Sequence, residues 1–301
     1  MANAAQPRVL IDCRAEVGEG PTYDPTTHTL FWVDIPRGRL WRHHLASGET
    51  SSRDIGEPLG SVALIEGGGL LLAAKRGILV LAHWNATPWL WIPVEPDLPT
   101  QFNDGKCDAR GRFIAGTAGT EAGVKGTLYR IDHDGTATAL VDGIGMSNGI
   151  DWSPDERFFY HVDTLAQAVT RYRWDADAGL PFDPITLIDV RSEDGLPDGL
   201  SVDAEGCLWL AVWGASEIRR YDHEGRFLGT IDLPTPNVSS CAFGGQALNE
   251  LYMTTAAAAA PTEGTAGRLA GNVFVATIPM RGQSRSKFPS AGIPAEAFRP
   301  A

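Results

Sequence analysis

Ser147-Asn148-Gly149-Ile150-Asp151-Trp152-Ser153-Pro154-Asp155 places a carboxamide, a glycine and a short apolar run in immediate succession, and the pattern recurs along the chain. Gly18-Glu19-Gly20-Pro21 leads into Thr22-Tyr23-Asp24, and Phe102-Asn103-Asp104-Gly105 into Lys106-Cys107-Asp108. Pro197-Asp198-Gly199 leads into Leu200-Ser201-Val202-Asp203. Each time a carboxylate or carboxamide stands just before a glycine, small or apolar residues follow, and an aspartate closes the run. One such segment is an ordinary turn, because Asp-Gly and Asn-Gly are common between strands. Four in corresponding places point to oxygen ligands delivered to one site by repeated structural units.

A longer repeat surrounds these segments. Pairs of short apolar or alternating runs occur at residues 29–34 and 39–43, 69–74 and 77–81, 112–117 and 126–132, 157–163 and 168–172, 207–212 and 216–221, and 250–255 and 271–276. Gly, Pro, Asp and Asn bound them, and sustained helical periodicity is lacking, which is how an antiparallel β protein reads. Six units with a period of roughly 40–50 residues match four-stranded propeller blades. The expectation is therefore an all-β protein, a six-bladed β-propeller forming one domain over residues 1–301. A strand at about residues 7–13 adds to the last blade and closes the ring, residues 256–264 form a loop within the sixth unit, and residues 281–301 form a surface tail. A pair of β-sandwiches is the rival architecture, and it would not need one regular period.

Composition narrows the function classes. Hydrophobic residues make up 43% and charged residues 21% of the 301, which is ordinary for a soluble globular protein. A net charge of -12 lacks the basic footprint of a nucleic-acid binder and suits a cation held by carboxylates. The best apolar run, residues 69–74, is far too short to span a membrane. Residues 1–8 contain no long apolar run, so no export signal is expected. Cys13, Cys107, Cys207 and Cys241 have no C-x-x-C spacing and read as reduced thiols of a cytoplasmic protein.

In a propeller the innermost strands line a central channel, and their ends converge at one face. Glu19, Asn103, Asn148 and Asp198 precede the inner strands of four units. The glycine after Glu19, Asn148 and Asp198 lets the chain turn sharply and leave the ligand facing the axis. In the second segment strict register nominates Asp104 rather than Asn103, and both stand open. Two carboxylates with one or two carboxamides make a hard oxygen set for Ca²⁺, Mg²⁺, Mn²⁺ or Fe²⁺. Positions left unfilled are available to water and substrate.

These four segments, together with Gly111-Arg112-Phe113-Ile114-Ala115-Gly116-Thr117, Ser153-Pro154-Asp155 and Gly206-Cys207-Leu208-Trp209, resemble the defining segments of the SMP-30/gluconolactonase/regucalcin-like family. The likeness runs in order over nearly the whole chain. It implies a propeller that binds one divalent cation (Ca²⁺, Mg²⁺, Mn²⁺, Fe²⁺ or Zn²⁺) and opens sugar lactones to aldonic acids in carbohydrate oxidation. By position it implies Glu19, Asn148 and Asp198 as metal ligands, with Asp198 also the general base. It further implies Asn103, Gln101 and Glu121 as substrate contacts. Many members carry an arginine where this chain has Gln101, which exchanges hydrogen bonds with hydroxyls but brings no positive charge. The implied partner is a small sugar lactone, with no nucleic acid and no membrane, and the oligomeric state is not legible. Alternatives are a non-catalytic calcium-binding regulator and an aryl-ester or organophosphate hydrolase on the same scaffold.

Gly145-Met146-Ser147-Asn148-Gly149 also fits the G-x-S-x-G nucleophile elbow, which needs a strand before it and a helix after it. The chain lacks βαβ alternation, so coincidence in a glycine-rich sequence is the expectation. Among the histidines, His161 alone stands near a candidate segment, and it reads as a packed blade residue. Trp213 reads as packing between blades, with the channel mouth as its other placement.

Overall fold

Short runs of Val, Ile, Leu and aromatic residues, each cut off by Gly, Asp, Asn or Pro, fold as antiparallel strands joined by tight turns. The computed structural model describes residues 6–191 and 193–298 and arranges their strands as six four-stranded sheets. The inner strands are Gly18–Asp24, Leu59–Leu64, Thr100–Cys107, Ser147–Trp152, Leu196–Val202 and Val238–Gly244. Each inner strand touches the next, and the sixth touches the first, so the sheets form a closed six-bladed propeller. Each inner strand pairs on one side only, and its other edge is short and protected around the central channel. In the sixth blade, Arg8–Ile11 pairs antiparallel with Val273–Thr277, with Arg8 opposite Val275.

The core lies between blades. Tyr160 and Val162 of the fourth blade pack with Leu200 and Leu210 of the fifth, and Trp209 of the fifth packs with Phe243 and Phe274 of the sixth. This explains why the strands read as nearly continuous apolar runs: both faces of each sheet are covered by a neighbour. Among the described residues, no helix is long and apolar enough to cross a membrane. The sixth-unit loop carries one short helix, Gly264–Leu269.

All six inner strands break register at the same level. The breaks fall between Glu19 and Thr22, Leu59 and Ser61, Phe102 and Gly105, Asn148 and Ile150, Pro197 and Leu200, and Val238 and Ser240. Such bulges re-aim side chains, and in four blades they turn Glu19, Asn103, Asn148 and Asp198 toward the axis. Glu19, Asn103, Asn148 and Asp198 each stand five residues before Asp24, Asp108, Ser153 and Asp203. Those four closing residues cap turns: Asp24 accepts from Thr26 N, Asp108 from Arg110 N, Ser153 Oγ from Phe158 N, and Asp203 from Glu205 N. Asn103, not Asp104, is therefore the residue in register, and Asp104 stands where the other blades have Gly20, Gly149 and Gly199.

The glycines have a different reason from the sharp turn expected of all three. Only Gly20 is left-handed, with φ +56°. At Gly149 and Gly199 the constraint is space between neighbouring inner strands. A Cβ on Gly199 would sit 2.1 Å from Ser240 Oγ, and one on Gly149 2.6 Å from Leu200 Cβ.

The segment after Met280 differs from a simple surface tail. It crosses the propeller face opposite the bulges. Gln283 Nε2 donates to the carbonyls of Trp152 and Val202, at the ends of two inner strands. Arg285 pairs both terminal nitrogens with Asp151, and Lys287 Nζ donates to Asp24 Oδ1 at 2.7 Å. Phe288 is fully buried, with its ring edge-on to Trp91. The channel at this end presents an anionic aspartate and open strand ends, and this segment supplies the matching cations and donors. Its partners lie on several blades, so no local pattern in its own residues announces them.

Candidate functional site

At the bulged ends of the inner strands the axis widens into a cavity of about 450 Å³. Glu19, Gln101, Asn103, Asn148 and Asp198 all face it, although 179 positions separate the first from the last. Glu121 does not line it. That residue is exposed in the turn between Phe113–Gly119 and Gly126–Ile131, where its carbonyl accepts from Val124 N.

Hydrogen bonds fix how the two carboxamides point. Thr164 Oγ1 gives its one hydrogen to the Pro197 carbonyl at 2.7 Å, so it can only accept from Asn148. Its partner must then be the Asn148 nitrogen, at 2.8 Å, which leaves Oδ1 toward the axis. Asn103 Nδ2 donates to the Ser147 carbonyl at 2.8 Å and to that same Asn148 Oδ1 at 2.9 Å. Both hydrogens of Asn103 are thereby engaged, and its own Oδ1 is left as an acceptor.

The carboxylates are crowded and almost without water. Glu19, Asp104 and Asp198 are 4%, 7% and 6% exposed. Burial, reinforced by Asp198 and Asp104, pushes Glu19 well above the usual carboxylate range, against the Gly20 N–H bond to its Oε2 at 2.8 Å. Burial and Asp104 do the same to Asp198. Burial also raises Asp104, although Lys106 and the Gly105 N–H oppose it. The Lys106 ammonium is already engaged with the Leu200 carbonyl at 3.0 Å and Asp151 Oδ2 at 3.3 Å. Desolvated like charges set close together are costly unless a cation sits among them. Two carboxylates and one oriented amide oxygen are hard donors, so these residues fit a hard divalent cation. Among the described residues, Asp203, Glu205 and Cys207 also come close enough to hold a metal. There the Arg220 guanidinium already pairs with Asp203 and Glu205, each at 2.9 Å, and supplies the positive charge.

A sequence profile of the SMP-30/Gluconolactonase/LRE-like region matches residues 17–257. The chain belongs to that family. Among relatives, the pentonolactonase of Haloferax volcanii is 35% identical over 82% of this chain and 84% of its own. Regucalcin of Xenopus laevis is 33% identical over 80% and 83%. The crystal structure of a calcium-binding protein, regucalcin, from Agrobacterium tumefaciens superposes with a TM-score of 0.88 at 30% identity, covering 95% of this chain and 97% of that one.

Several residues of this SMP-30-family site were not legible as ligand segments. Thr164 orients Asn148 from a turn in the fourth blade, and Met146, Leu196 and Trp213 form part of the cavity wall. Trp213 thus takes the channel-mouth placement rather than packing between blades alone. Gly60 and Ser239 occupy the ligand level in the second and sixth blades, so those blades contribute no carboxylate there.

The nucleophile elbow is excluded by burial. Ser147 is fully buried, its Oγ is 2.8 Å from His161 Nε2, and a Cβ placed on Gly116 would come within 1.8 Å of that Oγ. The hydroxyl is sealed inside the blade pair. Burial pulls the His161 pKa from 6.5 down to about 4. The unfolded chain takes up this proton first, so the contribution of His161 is fully present above pH 6.5 and fades as pH falls toward 4. The expected loss over that window is about 3 kcal/mol. Urea melts between pH 7 and 4.5 should show a slope that His161→Gln flattens; an unchanged slope would place the acid sensitivity elsewhere.

Proposed function

We propose that this chain is a divalent-cation-dependent hydrolase that opens sugar lactones to aldonic acids, acting in the cytoplasm on products of carbohydrate oxidation. The supporting observation is the convergence of Glu19, Asn148 and Asp198 with Asn103 and Gln101 on one cavity. Glu19, Asn148 and Asp198 are the assigned ligands. When bound, the cation supplies Lewis-acid charge that stabilises the oxyanion developing on the lactone carbonyl. Asp198 serves as general base: it takes a proton from the water whose oxygen bonds to the carbonyl carbon. The acyl bond to the ring oxygen then breaks, that oxygen leaves as a hydroxyl by taking the proton from Asp198, and the resulting carboxylic acid ionises to a carboxylate, releasing one proton to solvent. Asn103 Oδ1 accepts from a substrate hydroxyl, and the Gln101 amide both donates and accepts. Glu121 is outside this assignment because it does not reach the cavity wall.

A calcium-binding regulator would share the ligands but has no use for the space above them. A cavity of about 450 Å³ with an apolar wall is the size and character of a small-molecule site. The deciding measurement is acid release from a panel of aldonolactones before EDTA, after EDTA, and after adding back Ca²⁺, Mg²⁺, Mn²⁺ or Zn²⁺. Turnover should vanish on chelation and return with at least one ion. Turnover untouched by chelation rules out the cation, and no turnover under any condition leaves the regulator.

A further inference from the structure

We propose that the preferred substrate is an uncharged lactone with a carbon-rich edge, such as a terminal-deoxy sugar lactone, over its fully hydroxylated or phosphorylated counterpart. This rests on the lactonase reading and narrows it. Three features of the cavity carry it.

The first is the wall. Val17, Ile35 and Pro36 from the first blade face the cavity on one side, and Met146, Leu196 and Trp213 from the fourth and fifth on the other. Most of these side chains are only partly buried, so their apolar surface is presented to whatever enters and is not consumed by the core. Hydroxyl-bearing carbons set against such a wall lose water without gaining a partner. Methyl and methylene groups gain by the same contact.

The second is the supply of hydrogen-bond donors. The Thr164 hydroxyl is donated to Pro197, and both Asn103 hydrogens go to Ser147 and Asn148. Gln101 also faces the cavity, and none of the described residues accepts from its N–H groups. Carboxamide capacity to hold sugar hydroxyls is thus concentrated at the floor beside Gln101 and Asn103, while the rim offers the Glu16 carboxylate, already shared with Arg37. Hydroxyls near the lactone carbonyl are therefore better served than those at the far end of the molecule.

The third is charge. Among the described residues, no Lys, Arg or His lines the cavity, whereas Glu16, Glu19 and Asp198 do. The nearby guanidinium of Arg37 is taken up by Glu16 at 3.4 Å and Asp34 at 3.5 Å. A phosphate or carboxylate on the substrate would meet the Glu16 carboxylate at the rim and no free counter-charge on the wall.

The test uses the cation-loaded full chain and three lactones of one configuration: an aldonolactone, its terminal-deoxy analogue and its terminal phosphate. The deoxy compound should exceed the parent by about tenfold in kcat/KM, and the phosphate should fall about a hundredfold below it. Trp213→Gln and Ile35→Thr should each draw the deoxy-to-parent ratio toward one. A parent turned over as well as or better than the deoxy analogue overturns the inference while leaving lactonase chemistry intact, and so does ready turnover of the phosphate. If none of the three is hydrolysed with any cation, the lactonase reading falls and takes the inference with it. Because the wild-type series decides by itself, poor folding of either variant does not blunt the test.

Discussion

Asp198→Asn is expected to lower kcat for lactone hydrolysis by about a thousandfold or more, with the propeller still folded. The substitution keeps size and an oxygen donor while removing both the proton acceptor and one unit of ligand charge. Its effect on stability should run the opposite way. Asp198 is buried, and Asp104 pushes its pKa up, so ionising it costs the cation-free protein stability. With EDTA present the variant should therefore melt at or above the wild-type temperature. With divalent cation present the wild type should gain more than the variant, because a ligand that binds only the folded state stabilises in proportion to its affinity. Steady-state kinetics and paired melts, with and without chelator, read both effects. If kcat stays within tenfold of wild type, Asp198 is not the base, even where the melts behave as described.

Asp151→Asn should cost about 3 kcal/mol of folding stability, the low end for breaking a buried ion pair. Asp151 is fully buried and accepts from both terminal nitrogens of Arg285, from Lys106 Nζ, and from the backbone N–H groups of Trp152 and Val202. An amide in that position must turn N–H groups toward cations, leaving Arg285 and Lys106 without their counter-charge. The low end applies because Arg285 and Lys106 keep 27% and 20% side-chain exposure. Burial pushes the Asp151 pKa up, but Arg285 and Lys106 outweigh it and hold it below the usual carboxylate range. Its stabilising contribution is thus present above that range and lost as pH falls below it. Urea unfolding measures the loss. The double variant Asp151→Leu/Arg285→Met should recover only the Arg285 share of it, since Lys106 and the N–H groups of Trp152 and Val202 still lack their acceptor. A single variant within 1 kcal/mol of wild type would show that Arg285 does not anchor the segment after Met280.

The blades were legible because one constraint repeats: each sheet must cover both faces with neighbours, so apolar runs and turn residues return with a fixed period. The ligand-bearing segments were legible because a carboxylate or carboxamide followed by a glycine recurs in corresponding places along the chain. Glu19, Asn148 and Asp198 could therefore be named before any geometry was known. Asn103 could not be separated from Asp104, because that depends on where pairing resumes after the bulge, a property of two strands together.

What the sequence determined by itself was local and periodic: strand runs, turns, and the residue types offered at each bulge. Tertiary structure alone decided what meets across the ring. It put Gln101 on the cavity and Glu121 outside it, and it gave Gly149 and Gly199 their reason in the crowding of adjacent inner strands. It also drew the segment after Met280 across the far end of the channel onto Asp151. The physical reason is range: backbone preference and hydrophobic period act over a few residues, whereas charge pairing, close approach and cavity shape are set by groups that closure of the ring brings together.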